Sequence, residues 1–186
     1  MNKKSSKIVV ISFILLIIIS LFNLSNITIN SKNKNLLEEK EREHINFAEK
    51  YNRLEFSSFI IKDVVSGAKR EFNINKGIVI LLANNGCSPC QVRELKTIGN
   101  LIKNTNMDII ALYVSGYDRI NALKLMKVTA FPYPIFFIRD KSLNGLFYAN
   151  LFPKVFYVEN QKIISTLIPI PNNKNFSEKF YSSLTY

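Results

Sequence analysis

The sequence has no tryptophan, two cysteines, one histidine, and six each of glycine and proline in 186 residues. Each shortage narrows the field. A closed zinc site takes four ligands, usually a CxxC pair joined by a second pair or by histidines, and beyond Cys87 and Cys90 only His44 remains. Little glycine and proline beside 12% aromatic residues argues against a disordered chain. Acidic residues are outnumbered, 14 against 25 basic, which leaves a net charge of +11. The lysines are scattered, without the aromatic-interleaved basic cluster of a nucleic-acid surface, so nucleic acid is not the expected partner. An anionic lipid surface or a plain solvated surface accounts for the charge.

The two cysteines stand together, as Cys87-Ser88-Pro89-Cys90. They sit where the apolar run Ile78 to Ala83 ends and a helical pattern, Val92, Leu95, Ile98, Leu101 and Ile102, begins. Thiols two residues apart at a strand-to-helix turn can close and reopen a small disulfide, with the first sulfur at the positive end of the helix. A purely structural disulfide is the alternative, although closing so short a ring removes little unfolded-state entropy.

The N-terminus bears on the compartment. Lys3, Lys4 and Lys7 precede an apolar run from Ile8 to Phe22 that continues more weakly to Ile29, about the 20 residues a bilayer core requires. Residues 1–7 read as a cytoplasmic tail and 8–29 as a transmembrane anchor. A cleaved signal peptide is the alternative, but no small-x-small site follows the run, and the absence of a cysteine near residue 20 excludes a bacterial lipid anchor. Under either reading the rest of the chain lies outside the cytoplasm, where disulfides persist.

Residues 30–54 carry many charges with Leu37, Ile45, Ala48 and Tyr51 near helical spacing, and read as a charged helical linker with His44 in solvent. Residues 55–186 are enough for one core. Within them, Phe56 to Asp63 and Arg70 to Phe72 read as an opening hairpin around Ser66-Gly67. Ile78 to Ala83, Asp108 to Val114 and Ile135 to Ile138 read as buried inner strands, with helices after Pro89 and over Tyr117 to Lys127. A turn is expected at Lys141 to Gly145, a closing hairpin at Val155 to Val158 and Ile163 to Ile168, and a last helix from Phe176 to Leu184. Strand alternating with helix implies an α/β fold with a parallel core inside a mixed sheet.

A strand ending in CxxC at a helix N-terminus, followed by a proline that opens a terminal hairpin, resembles the thioredoxin fold. More narrowly, the chain is similar to the membrane-anchored extracytoplasmic thiol-disulfide oxidoreductases of the TlpA and ResA type. Four landmarks carry the resemblance: the hairpin Phe59 to Phe72, the strand-CSPC-helix unit, an inserted strand after Ala130-Phe131-Pro132, and Phe152-Pro153 before the final hairpin. It implies a three-layer thioredoxin-like fold with a mixed sheet, the inserted strand and an N-terminal transmembrane helix.

The resemblance also implies a site. Cys87 is the attacking sulfur, its pKa depressed into the broad range of about 3.5 to 7.5, and Cys90 resolves the mixed disulfide. Pro153 is expected cis, because taking Pro132 or Pro134 instead leaves the strand from Val155 without a role. The backbone of Phe152 would then bind an extended substrate segment. The implied partners are protein thiols and disulfides such as apocytochromes or other envelope proteins, a membrane electron donor or acceptor, and the lipid bilayer. The Cys87–Cys90 disulfide serves in place of a cofactor.

The sequence departs from the family at three places. Gly86 stands where a tryptophan usually precedes the first cysteine, and Leu81 where thioredoxins carry a buried acid that serves the resolving thiol. Lys154 replaces a threonine. Glu94, one turn beyond Cys90, is a candidate proton carrier, or alternatively a solvated first-turn carboxylate. Asn84 stands where a peroxidase of this fold needs threonine. A redox-inactive binding or assembly module with a static disulfide is the competing function.

Overall fold

In the computed structural model, residues 3–52, 54–56, 58–101, 107–114, 118–138 and 151–184 are described, with side chains from Leu15 onward apart from Leu101. The chain divides into two units, residues 1–40 and 41–186. The first holds most of helix α1 (Lys3–Glu49), in which Leu16, Leu21, Phe22, Leu24 and Ile27 are each more than 60% accessible. Leaving such side chains in water forgoes about 1.5–3 kcal/mol apiece. The helical segment Leu15–Glu49 includes a stretch long and apolar enough to cross a membrane, with a mean hydropathy of 1.3.

The second unit holds a seven-stranded mixed sheet. Its strands are β1 (Phe59–Asp63), β2 (Lys69–Phe72), β3 (Lys76–Leu82), β4 (Asp108–Tyr113), β5 (Ile135–Ile138), β6 (Lys154–Glu159) and β7 (Lys162–Leu167). They lie in the order β2-β1-β5-β4-β3-β6-β7. The pairs β3–β4 and β4–β5 are parallel, and the other neighbours are antiparallel. Placing β3 and β4 in the middle explains their uninterrupted apolar sequences, since both faces of each are covered.

Strand alternation divides the core in two. Ile78, Ile80 and Leu82 pack with helices α2 (Ser88–Leu101), α3 (Arg119–Thr129) and α4 (Lys174–Leu184). Val79, Leu81 and Ala83 pack on the other face with Phe56, Phe152, Phe156 and the end of the long helix. Asp118 caps α3 by accepting the Asn121 N–H. The expected start of α3 at Tyr117, the end of α2 at Ile102 and Lys103, and the turn at Lys141 to Gly145 lie outside the described residues.

The linker reading is corrected at its distal end. Residues 41–54 belong to the folded unit: Ala48 and Tyr51 are buried, and the Tyr51 ring lies 5.6 Å from that of Phe156. His44 is only partly exposed, and its Nδ1–H donates to the Ile168 carbonyl at 2.9 Å. Charge density at Glu38 to Glu43 concealed that the next two turns present a small and an aromatic residue to the core.

The β6–β7 hairpin turns through Asn160 and Gln161, both at positive φ, 51° and 59°. Asparagine tolerates this region, whereas glutamine is held there at a cost. Gln161→Gly should raise stability by about 0.5–1 kcal/mol once the extra unfolded-state freedom of glycine is subtracted. A urea midpoint at or below that of the wild type would contradict this reading of the turn.

Candidate redox site

Strand β3 delivers the chain to the site, and three local contacts shape the turn. After Ala83, the Gly86 N–H donates to the Ala83 carbonyl at 3.1 Å and the Cys87 N–H donates to the Phe152 carbonyl at 3.0 Å. The Gln91 side chain reaches back from the first turn of α2 to clasp Ala83, accepting its N–H at 3.3 Å and donating to its carbonyl at 2.8 Å. Gln91 is only 5% exposed, so the clasp satisfies polar groups on both sides of the junction away from water. The sequence reading missed Gln91; its only signal was a polar residue directly after the second cysteine.

Cys87 and Cys90 form a disulfide, with an S–S distance of 2.08 Å. Cys87 is partly exposed, while Cys90 is 3% exposed. The Cys90 backbone N–H points at the Cys87 sulfur at 3.3 Å. That donor and the N-terminus of α2 present the positive ends of backbone dipoles to the Cys87 sulfur.

The Phe152–Pro153 peptide bond is cis and lies beside the cysteine turn. The prolines at 132 and 134 have other places: Pro132 abuts Gly99, and the Pro134 carbonyl accepts the Ala111 N–H at 3.1 Å. The Phe152 carbonyl accepts the Cys87 N–H, which ties this segment to the cysteine turn.

Several solved structures share this architecture at low identity. The thioredoxin domain of a thiol-disulfide oxidoreductase from Bacteroides vulgatus superposes with a TM-score of 0.52 at 16% identity, over 70% of this chain and 97% of that one. A DsbF homologue from Corynebacterium diphtheriae gives 0.51 at 14% identity, over 70% and 87%. A thio-disulfide isomerase from Thermus thermophilus gives 0.50 at 14%, over 71% and 96%. The fold is thioredoxin-like. No family model matches the sequence, and no curated protein matches it.

The departures from the thioredoxin-like pattern now have physical causes. A Cβ added at Gly86 would lie 2.6 Å from the Phe152 Cβ and 2.8 Å from the Gln91 Nε2. Phe152, 7% exposed, fills the space beside residue 86, so a tryptophan there is sterically excluded. Leu81 is fully buried and pairs across the sheet with Lys154, which is itself 0% exposed. The Lys154 ammonium lies 4.9 Å from the ring centres of both Tyr51 and Phe152. Burial lowers its pKa to about 8.

Glu94 is not solvated, contrary to the first-turn reading, but 0% exposed. Its Oε1 accepts from Ser177 Oγ at 2.9 Å and Arg93 Nε at 2.8 Å, and its Oε2 accepts from Tyr181 Oη at 2.8 Å. Burial, and then the Glu94 charge, push the Tyr181 phenol well above its usual pKa. On the other side of the turn Asn84 donates to Asp118 at 2.9 Å and accepts from Tyr113. Asn84 and Tyr113 border a cavity of about 350 Å³ with Ser88, Gln91, Asn121 and Lys124.

Gly86→Ala should cost about 1–3 kcal/mol, the range for forcing a methyl into a filled core, and an unchanged urea midpoint would contradict the packing described. Lys154 gives a prediction of pH dependence. Its folded pKa of about 8 lies below the ordinary 10.5, so between these values the unfolded chain binds more protons and stability rises with pH. Against Lys154→Met, which lacks the titration, the wild type should gain stability from pH 8 to 10.5 and hold a constant difference below pH 7. Parallel curves over the whole range would show an ordinary amine.

Proposed function

We propose that the chain is a membrane-anchored thiol-disulfide oxidoreductase that exchanges disulfides with extracytoplasmic proteins through Cys87 and Cys90. The observation that carries this reading is the disulfide's asymmetry at the start of α2, with one sulfur partly exposed and its partner buried. A static cross-link has no use for an accessible sulfur facing a helix N-terminus.

In the reduced state the Cys87 thiolate attacks a substrate disulfide, forming a mixed disulfide and releasing one substrate thiolate. The Cys90 sulfur then attacks the Cys87 sulfur, closing the disulfide and releasing the second substrate sulfur reduced. Two electrons pass to the substrate, and a membrane electron donor restores the dithiol. The same steps reversed oxidise a substrate dithiol, with an electron acceptor in the donor's place. Phe152 and Pro153 form the wall beside Cys87 against which an extended substrate segment lies.

Residues 1–7 are assigned to the cytoplasm, 8–29 to the bilayer and the C-terminal unit to the extracytoplasmic side. The basic flank and the exposed apolar helix support that orientation. Glu94, with both carboxylate oxygens engaged by α4 and Arg93, is assigned to holding α4 on α2 rather than to carrying protons.

Cys90→Ala, expressed in cells as the full chain, should accumulate mixed disulfides visible as thiol-labile bands on non-reducing gels, while Cys87→Ala should not. Equal trapping by the two variants would refute the assigned roles, and trapping by neither would favour the redox-inactive module.

A further inference from the structure

Gln91 is the first residue after the redox pair and is 5% exposed, unusual for a glutamine. Its polar groups reach both ends of the segment that carries the cysteines. The side-chain oxygen accepts the Ala83 N–H at 3.3 Å, and the side-chain nitrogen donates to the Ala83 carbonyl at 2.8 Å. The Gln91 backbone N–H donates to the Cys87 carbonyl at 2.9 Å, and the Gly86 N–H shares the Ala83 carbonyl at 3.1 Å. The disulfide spans a sequence separation of 3 and the clasp one of 8, so the smaller closure lies inside the larger.

We infer that Gln91 is a positioning residue whose clasp holds the ends of the redox turn together while the disulfide is open, keeping Cys87 and Cys90 at high effective concentration for each other. This rests on the exchange reading above. A closed inner ring already limits how far the turn can spread, so in the disulfide form the clasp removes little freedom. Once the sulfurs separate, the clasp restrains a longer open segment, and the entropy lost in reclosing the ring is smaller for it. Clasp and disulfide therefore reinforce each other, each strengthening the other by the same factor. Glutamine suits the position because one side chain offers both an acceptor and a donor, where a glutamate or a lysine supplies only one.

The clasp bears on both steps of exchange. When oxidised glutathione takes two electrons from the dithiol, the Cys87 and Cys90 sulfurs join, their two protons pass to the departing sulfurs, and two glutathione thiols leave. A preset turn favours that closure. It also speeds the attack of Cys90 on a mixed disulfide at Cys87, so a substrate is released sooner.

The test equilibrates the full chain, in detergent micelles at neutral pH, with mixtures of reduced and oxidised glutathione. Gln91→Met keeps the unbranched shape and neutral charge of the side chain while removing its donor and its oxygen acceptor. The equilibrium of the variant should move about tenfold toward the dithiol, a potential about 30 mV less negative, with the pH midpoint for iodoacetamide alkylation of Cys87 unchanged. A merely structural side chain would destabilise both redox forms equally and leave the equilibrium in place. Equal equilibria for the two proteins would overturn the role of Gln91, as would a shift accounted for by the alkylation midpoint, the mark of an electrostatic effect. A wild type that neither glutathione nor dithiothreitol reduces would instead overturn the exchange reading itself. Should Gln91→Met not fold, the wild type still decides. Linkage requires the Ala83 backbone amide to exchange with deuterated solvent about tenfold faster in the dithiol than in the disulfide form, relative to the Ile80 amide of β3. Equal relative rates would overturn the inference.

Discussion

The seam between Phe152 and the Gly86–Cys87 turn is the contact on which the rest of the site depends. It joins the entry of β6 to the start of α2 by one backbone hydrogen bond and one close packing contact. The hydrogen bond fixes where the Cys87 backbone sits, and the packing contact dictates glycine before it. That seam also decides what cannot be present: with Phe152 in place, no large side chain fits at residue 86.

Around the seam, polar side chains are buried only where their partners are also supplied. Gln91 fills both hydrogen-bonding groups of Ala83, and Glu94 spends both oxygens on α4 and Arg93. Breaking such arrangements leaves an unsatisfied buried group at a cost of about 1–3 kcal/mol, more for a charge, so they fix one arrangement of strand, turn and helix. The Lys154 ammonium lies over two aromatic faces, which keep part of its electrostatic stabilisation, and burial lowers its pKa.

Most of the architecture was legible because it depends on local pattern. The unbroken runs at Ile78 and Asp108 identified covered inner strands, the helical spacing after Pro89 identified α2, and the role left over for Val155 pointed to Phe152 and Pro153 over Phe131 to Pro134. What stayed hidden depends on distant partners. Glu94 looked like a solvated helix-start acid because Ser177 and Tyr181 lie more than eighty residues away. Residues 41–54 looked like a stalk because their charges outnumber the few side chains that reach the core. The burial of Lys154 had no signal in the sequence, because the Tyr51 ring that covers it lies about a hundred residues away.

The account stands or falls on the disulfide being an exchange pair and not a static brace. The reduction potential of the purified full chain measures this directly. Exchange proteins span roughly −270 to −120 mV, whereas structural disulfides typically lie below about −300 mV. The account predicts a value within the first range, and a value below −300 mV would contradict it.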